Sequence, residues 1–248
     1  MRGRTPSHRR LRRRFLRFVP VRRNMHVLEV GCGTGVVVRD LAAMVGPGGR
    51  VVGVDRSHSV IAGARHLRRA DPARPRMAFR VADGARLPFR ADRFDVSLAI
   101  TVLLHVSDAL AVVKEMVRVT RPGGRVAVQD QDFGTVVCEH PDRALTARIL
   151  DGVVAHIYEE SFSGRRLPGA LRGAGLDDVR LLTDVFQDTT LTAYTEAFLA
   201  RRAENAVRFG IVDAPTAQRW LDGFAVMLER GAFVVTMNYY GAVGVKRR

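Results

Sequence analysis

Val27-Leu28-Glu29-Val30-Gly31-Cys32-Gly33-Thr34-Gly35 decides how this chain is read. A short apolar strand runs into a loop with glycine at every second position, and a helical pattern begins at once with Val36. Glycine lacks a β-carbon, so such a loop turns sharply and lets its backbone approach a ligand closely. The next apolar run, Val51 to Val54, ends on an acid, Asp55, 24 residues after Gly31. A carboxylate at that strand end can accept hydrogen bonds from both hydroxyls of a ribose. A dinucleotide is disfavoured. Its G-x-G-x-x-G/A fingerprint wants a small residue where Val36 stands, and its pyrophosphate wants a free helix N-terminus.

Working outward, short apolar runs alternate with helical patterns up to about residue 130. Helices are predicted over Val36 to Val45, Ser57 to Arg69 and Ser107 to Thr120, the second closing at Asp71-Pro72. Further strands are predicted at Met77 to Val81, Phe94 to Ile100 and Arg125 to Gln129. This alternation argues for a parallel sheet covered on both faces, because each parallel crossover needs a long connection. Beyond it come helical patterns at Pro141 to Glu160, Leu167 to Gly175, Leu191 to Phe209 and Pro215 to Arg230. Strands are read at Val179 to Phe186 and Phe233 to Tyr240. The expected organisation is a basic helical arm over 1–23 and one domain over 24–248. Its core spans about 24–135, and helical additions at 136–175 and 187–232 cover the strand tips, where open α/β sheets bind ligands.

The composition is that of an ordinary globular chain: 248 residues, 47% hydrophobic and 26% charged. Two cysteines, Cys32 and Cys138, are too few for a disulfide scaffold or a four-cysteine zinc site. No apolar run approaches the roughly 18–20 residues of a membrane span, and Arg17, Arg22 and Arg23 interrupt any secretory leader. A soluble, cytoplasmic protein is expected. The net charge of +15 is concentrated in ten arginines ahead of Glu29, Arg2 and Arg4 among them. Such an arm suits nucleic acid or an anionic surface. The helical spacing of Leu11, Phe15, Leu16 and Phe18 favours instead an amphipathic helix resting on the domain.

The segment Glu29 to Gly35 resembles the first motif of class I S-adenosylmethionine-dependent methyltransferases, and four more matches follow in order. Val52-Gly53-Val54-Asp55 resembles the ribose-binding strand, and Val81-Ala82-Asp83-Gly84 with Leu87-Pro88-Phe89 the adenine loop. Phe94-Asp95-Val96 resembles the fourth strand, and Arg121-Pro122-Gly123-Gly124-Arg125 the turn before the fifth. The likeness covers about residues 24–135 and sits nearest the quinone-biosynthetic and natural-product small-molecule enzymes. It implies a Rossmann-like, doubly wound, mostly parallel seven-stranded sheet with the last strand antiparallel and helical additions forming a lid. It implies S-adenosyl-L-methionine as cofactor. Gly31, Cys32, Gly33, Thr34 and Gly35 would line its methionine part and Glu29 would face its ammonium. Asp55 would hold the ribose, Arg56 would flank the adenine, Asp83 and Gly84 would meet the adenine edge, and Thr101 would lie near the sulfonium.

The reaction implied is in-line methyl transfer to an O, N or C nucleophile of a small, partly apolar acceptor. Alignment is the protein's main task, and a hydroxyl or acidic carbon would also need a base. His105, after the fourth strand, and Asp130 and Asp132, after the fifth, are the candidates. The alternatives are a histidine that merely closes the cofactor site, and solvated or capping acids. His140 and His156 fall in the additions. Two acids alone do not make a metal site, and no metal is expected. Tyr158, Phe162, Phe186, Tyr194, Phe198, Trp220, Phe224 and Tyr239 are offered as pocket lining or core. Two other readings stay open: an RNA- or protein-directed methyltransferase using the arginine arm, and a cofactor-binding subunit without catalysis. The oligomeric state, a homodimer included, is left open.

Overall fold

The computed structural model describes residues 5–69, 71 and 76–247; Arg2, Arg4 and Pro72 lie outside them. Helix α1 (Pro6–Phe18) precedes the alternating half: β1 (His26–Val30), α2 (Val36–Val45), β2 (Arg50–Asp55), α3 (His58–Arg68), β3 (Met77–Val81), β4 (Phe94–Ile100), α4 (Ala109–Val119) and β5 (Thr120–Cys138). After it come α5 (Arg143–Val154), α6 (Ser163–Gly173), β6 (Leu176–Asp188), α7 (Ala193–Arg208), α8 (Ala214–Glu229) and β7 (Val235–Lys246). The strands form one sheet of order β3-β2-β1-β4-β5-β7-β6. Only β7 is reversed, pairing antiparallel with both neighbours. The fold is thus the expected Rossmann-like one. The chain winds outward from β1 to β3 and then returns to place β4 on the other side of β1. This reversal opens a crevice at the carboxyl ends of β1 and β4, where such sheets bind ligands.

Period-two alternation explains the two faces. Val27 of β1, Val51 of β2 and Val96 of β4 join Leu41 and Ile61 in the cluster under α2 and α3. Leu28 and Val30 point the other way, to Val112 and Met116 of α4 and Leu167 and Leu171 of α6. Helix α6 therefore lies on the sheet face beside α4. A third cluster joins Ile149, Phe198, Trp220 and Phe224 of α5, α7 and α8 to Phe133, Val235 and Met237 at the far ends of β5 and β7.

β5 and β7 extend furthest past the ends of their sequence patterns. β5 continues past Gln129 to Cys138, with a register shift against β7 between Asp132 and Val137. β7 continues past Tyr240 through Gly241 and Gly244. These glycines are not breakers here: a Cβ on Gly241 would lie 2.7 Å from the Phe15 ring, and one on Gly244 2.8 Å from Leu176 Cβ.

Helix α1 is capped by Thr5, whose hydroxyl accepts the His8 N–H, and has Pro6 at its start. One stripe, His8, Leu11, Phe15 and Leu16, is buried. Arg10 and Arg14 reach Asp184 of β6 at 3.3 and 3.2 Å, and Arg12 reaches Asp40 of α2 at 2.6 Å. Phe15 is fully buried between α1 and the sheet, so the arginine-rich helix is packed as part of the domain.

Candidate active site

The loop after β1 is held open by backbone geometry. Gly31, Gly33 and Gly35 have φ of +68°, +52° and +78°, the left-handed region that favours glycine. A side chain on Gly31 would collide with Val102, and one on Gly35 would lie 2.6 Å from the Phe79 ring. Cys32 N–H donates to the Val54 carbonyl and Gly35 N–H to the Cys32 carbonyl, each at 2.9 Å. Asp55, at the end of β2, braces the loop: Oδ2 accepts Gly33 N–H and Oδ1 accepts Ser57 N–H, both at 3.0 Å.

Two cavities flank this loop and share Gly31 and Thr101 in their walls. One, of about 330 Å³, is bounded by Asp55, Arg56, Asp83, Gly84, Val102 and His105. The other, of about 220 Å³, takes in Glu29, Cys32, Gly33 and Thr34, then Gln129 and Gln131 of β5, Tyr239 of β7, and His8, Leu11 and Arg12 of α1. At the seam Thr101 has φ of +55°, uncommon for a β-branched residue. Its N–H donates to the Gln129 carbonyl at 2.7 Å. Backbone strain of this kind costs on the order of 1–3 kcal/mol and gathers at functional sites.

The wall of the smaller cavity holds a buried acid. Glu29 is 2% exposed and its Oε2 has no hydrogen-bond partner among the described residues. Burial, then the nearby Asp40 carboxylate, pushes its pKa well above the usual carboxylate range. The Val38 N–H and the Arg12 guanidinium oppose the shift, and Asp55 adds to it. Such a group is complementary to a cation or a strong donor arriving in the cavity. The Cys32 thiol is pushed up by burial and by Glu29 and Asp55, which disfavours the thiolate.

Every cofactor-binding residue expected from the sequence lies on the loop or a cavity wall. Gly35 shapes the turn, and Glu29, Gly31, Cys32, Gly33, Thr34, Asp55, Arg56, Asp83, Gly84 and Thr101 line the two spaces. Asp83 caps its own turn, its Oδ1 accepting Ala85 N–H at 2.9 Å. Of the three candidate bases, His105 shares a cavity wall with these residues, and Asp130 and Asp132 do not. His105 is exposed on a 3-10 turn (Leu103–His105), lines the larger cavity and meets the Tyr158 ring edge-on at 5.1 Å. Asp130 is 1% exposed. Its Oδ2 accepts Leu104 N–H at 3.2 Å and the Ser163 hydroxyl at 2.8 Å, and burial pushes its pKa up to about 7 against the pull of these donors. Asp132 is fully buried and takes the Arg165 guanidinium on both oxygens.

Alternation along β5 accounts for this split: the even positions, Asp130 and Asp132, face α6, while Gln129 and Gln131 face the cavity. Among the expected pocket aromatics, Tyr239 lines the smaller cavity, whereas Trp220 and Phe224 are core, packed with His140. Sequence reasoning missed His8, Leu11 and Arg12. The available signal was that His8 lies on the same helical stripe as Leu11 and Phe15.

A methyltransferase domain family matches residues 22–189. Among curated relatives, an uncharacterized 37.1 kDa protein in transposon TN4556 of Streptomyces fradiae is 32% identical, over 87% of this chain and 61% of its own length. Methyltransferase GfsG of Streptomyces halstedii is 35% identical over 67% of this chain and 57% of its own length. The chain thus matches only about six tenths of either relative. Among solved structures, the [4+2]-cyclase SpnF superimposes with a TM-score of 0.58 at 23% identity, over 99% of this chain and 85% of that one. With the family match covering more than half of its residues, and the glycine loop and twin cavities in place, this chain belongs to the methyltransferase-domain family.

Proposed function

We propose that this protein transfers a methyl group from S-adenosyl-L-methionine to a small, partly apolar molecule. The observation that carries the reading is the pair of cavities meeting at Gly31 and Thr101. One is lined by the Asp55 and Asp83 carboxylates, and the other by a buried acid with an unpartnered oxygen. The residues fit the cofactor. Asp55 would receive the ribose hydroxyls, with Arg56 beside the base and Asp83 and Gly84 at its edge. Glu29 would face the ammonium, and the loop from Gly31 to Gly35 would follow the methionine chain. When bound, the sulfonium supplies an activated methyl group. The rigid loop and the Thr101 seam would then fix where that group points, and alignment of reacting groups is worth roughly 7–11 kcal/mol.

The smaller cavity would seat the acceptor beside the methionine chain, with the apolar Leu11, Val36, Val37 and Ile100 in its wall. We assign Asp130 a positioning role, since it ties the 3-10 turn to α6. His105 would close the nucleoside side. A nucleic-acid acceptor is disfavoured because Arg10, Arg12 and Arg14 of the arm are engaged with Asp184 and Asp40. Among the described residues no helix is long and apolar enough to cross a membrane, and a cytoplasmic site of action is part of the proposal.

Calorimetry with S-adenosylhomocysteine, comparing wild type with Asp55→Ala, tests the cofactor site. Asp55 braces the loop as well as facing the ribose, so the variant should lose at least tenfold in affinity; undiminished binding would count against the assignment. Incubating the protein with methyl-labelled cofactor and a metabolite extract should yield a compound that gains one methyl group. A nucleoside site that binds but never yields such a product would favour the non-catalytic reading.

A further inference from the structure

The smaller cavity carries a hydrogen-bonded chain that a nucleoside ligand does not need. Thr5 Oγ1 accepts the His8 N–H at 3.2 Å and lies 2.6 Å from His8 Nδ1. His8 Nε2 lies 3.2 Å from the Tyr239 hydroxyl, which accepts from Gln131 Nε2 at 2.6 Å. His8 and Tyr239 both line the cavity that Glu29, Gly31 and Gly33 also line. The imidazole, 8% exposed, is fixed among rings, with centroids at 4.5 Å for Tyr194, 5.0 Å for Phe186 and 6.1 Å for Tyr239. Beside the chain, Gln129 Nε2 and Gln131 Oε1 are buried without hydrogen-bond partners among the described residues. The unpaired Gln129 Nε2 donor is matched by a ligand oxygen, and a hydroxyl supplies one while keeping its own proton for a neighbouring acceptor such as Tyr239 Oη.

If the Thr5 oxygen that accepts the His8 N–H also accepts the ring's Nδ1–H, Nε2 keeps its lone pair toward Tyr239. We propose that Tyr239 and His8 take the proton of an alcohol or phenol held against Gln129 and Gln131, so that the acceptor is methylated on oxygen. The inference rests on the methyl-transfer reading above and names its acceptor class. The acceptor oxygen bonds to the methyl carbon as the donor's carbon–sulfur bond breaks, its electron pair staying on a neutral thioether. The hydroxyl proton passes to Tyr239 Oη while Tyr239 gives its own to His8 Nε2, and the resulting imidazolium later releases that proton to solvent. Tyr239 touches the acceptor; His8 acts through it. The base thus comes from the N-terminal helix, far in sequence from the strand-end motifs.

The test uses ¹⁵N NMR of histidine-labelled full-length protein in its S-adenosylhomocysteine complex, with His8 assigned through His8→Gln. Phenol and toluene are the probes, similar in shape and differing in the hydroxyl. The expected result is a His8 ring protonated on Nδ1, an Nε2 resonance that moves with phenol and not with toluene, and loss of that response in Tyr239→Phe. An Nε2-protonated ring, a ring blind to phenol, equal responses to both probes, or a phenol response that survives Tyr239→Phe would each overturn it. For the compound that gains a methyl group in the extract screen, His8→Gln should lower kcat/KM roughly 100-fold or more. An N- or C-methylated product overturns the inference. Failure of the wild type to bind S-adenosylhomocysteine in calorimetry would instead defeat the cofactor reading, so the two failures are distinguishable.

Discussion

Replacing Glu29 by Gln isolates one buried carboxyl and should move ligand affinity and fold stability in opposite directions. In the free protein the carboxyl is enclosed, lacks a partner for Oε2 and has its pKa raised by burial. It therefore binds its proton more tightly folded than unfolded. Its contribution to stability is complete at acid pH and declines as pH rises from the ordinary carboxylate range through the raised value. An isosteric amide removes that decline. Above that window the wild type must bury a carboxylate charge that the amide does not carry, so the free variant should be more stable there, by a few degrees at this chain length. Binding changes the other way. A cationic ammonium opposite Oε2 must draw out the proton, so complex formation releases up to one proton per site. Losing a charge-assisted hydrogen bond worth about 1.5–3 kcal/mol weakens affinity roughly 10- to 100-fold. Titration calorimetry with S-adenosylhomocysteine in two buffers of different ionisation enthalpy measures both quantities, and thermal melts across pH measure the third. Equal affinities and no buffer dependence in the wild type would refute the placement of a cation at Glu29.

Gly31→Ala should lower the melting temperature and abolish S-adenosylhomocysteine binding, because the residue sits at φ +68° and its new Cβ meets Val102 at the seam of both cavities; the left-handed backbone alone costs about 1–2 kcal/mol. Asp184→Ala removes the carboxylate that Arg10 and Arg14 share. Those arginines are about half exposed, so the melting temperature should barely move, while trypsin should cut within residues 6–18 faster than in the wild type. Asp130→Asn should flatten part of the fall in stability between about pH 4 and 7, since the folded carboxyl at about 7 keeps a proton that the unfolded chain has released; an unchanged profile from pH-dependent melts would show that Asp130 does not titrate there.

The first half of the fold was legible because its signals are local. Strand and helix periods alternate cleanly, and α2, β3 and β4 fall on the boundaries read from the sequence. The glycine loop and Asp55 were legible for the same reason, since loop, strand end and acid lie within 25 residues. Legibility failed where polar residues are buried for a purpose. Gln129-Asp130-Gln131-Asp132 looks like the end of a strand, yet it is the middle of β5, with each side chain 2% exposed or less. Its burial is sustained by partners distant in sequence: Ser163 and Arg165 on one face, Tyr239 on the other. No local pattern encodes those contacts. Carboxylates are the more familiar bases, yet the cavity is faced by the amides between them.

The same long-range logic makes the arginine-rich helix more than an appendage. Its arginines invite an electrostatic reading of the whole segment, but the buried stripe beneath them decides where it sits. Phe15 occupies the space that a side chain at Gly241 would need, so helix and strand fix each other in register. That register brings His8 to Tyr239 and closes one wall of the smaller cavity with Leu11 and Arg12. A sheet of this type does not by itself fix a reaction; on the proposed function the strand-end motifs would hold the nucleoside and leave the second substrate to the elements around them. In this chain those elements would be the first helix, the buried middle of β5 and the start of β7. Phe15→Ala, which empties the contact at Gly241, should cost about 3–5 kcal/mol and weaken the hold on the acceptor while S-adenosylhomocysteine affinity at the β2 side falls much less. Equal loss on both sides would mean that the helix supports the fold without shaping the acceptor cavity.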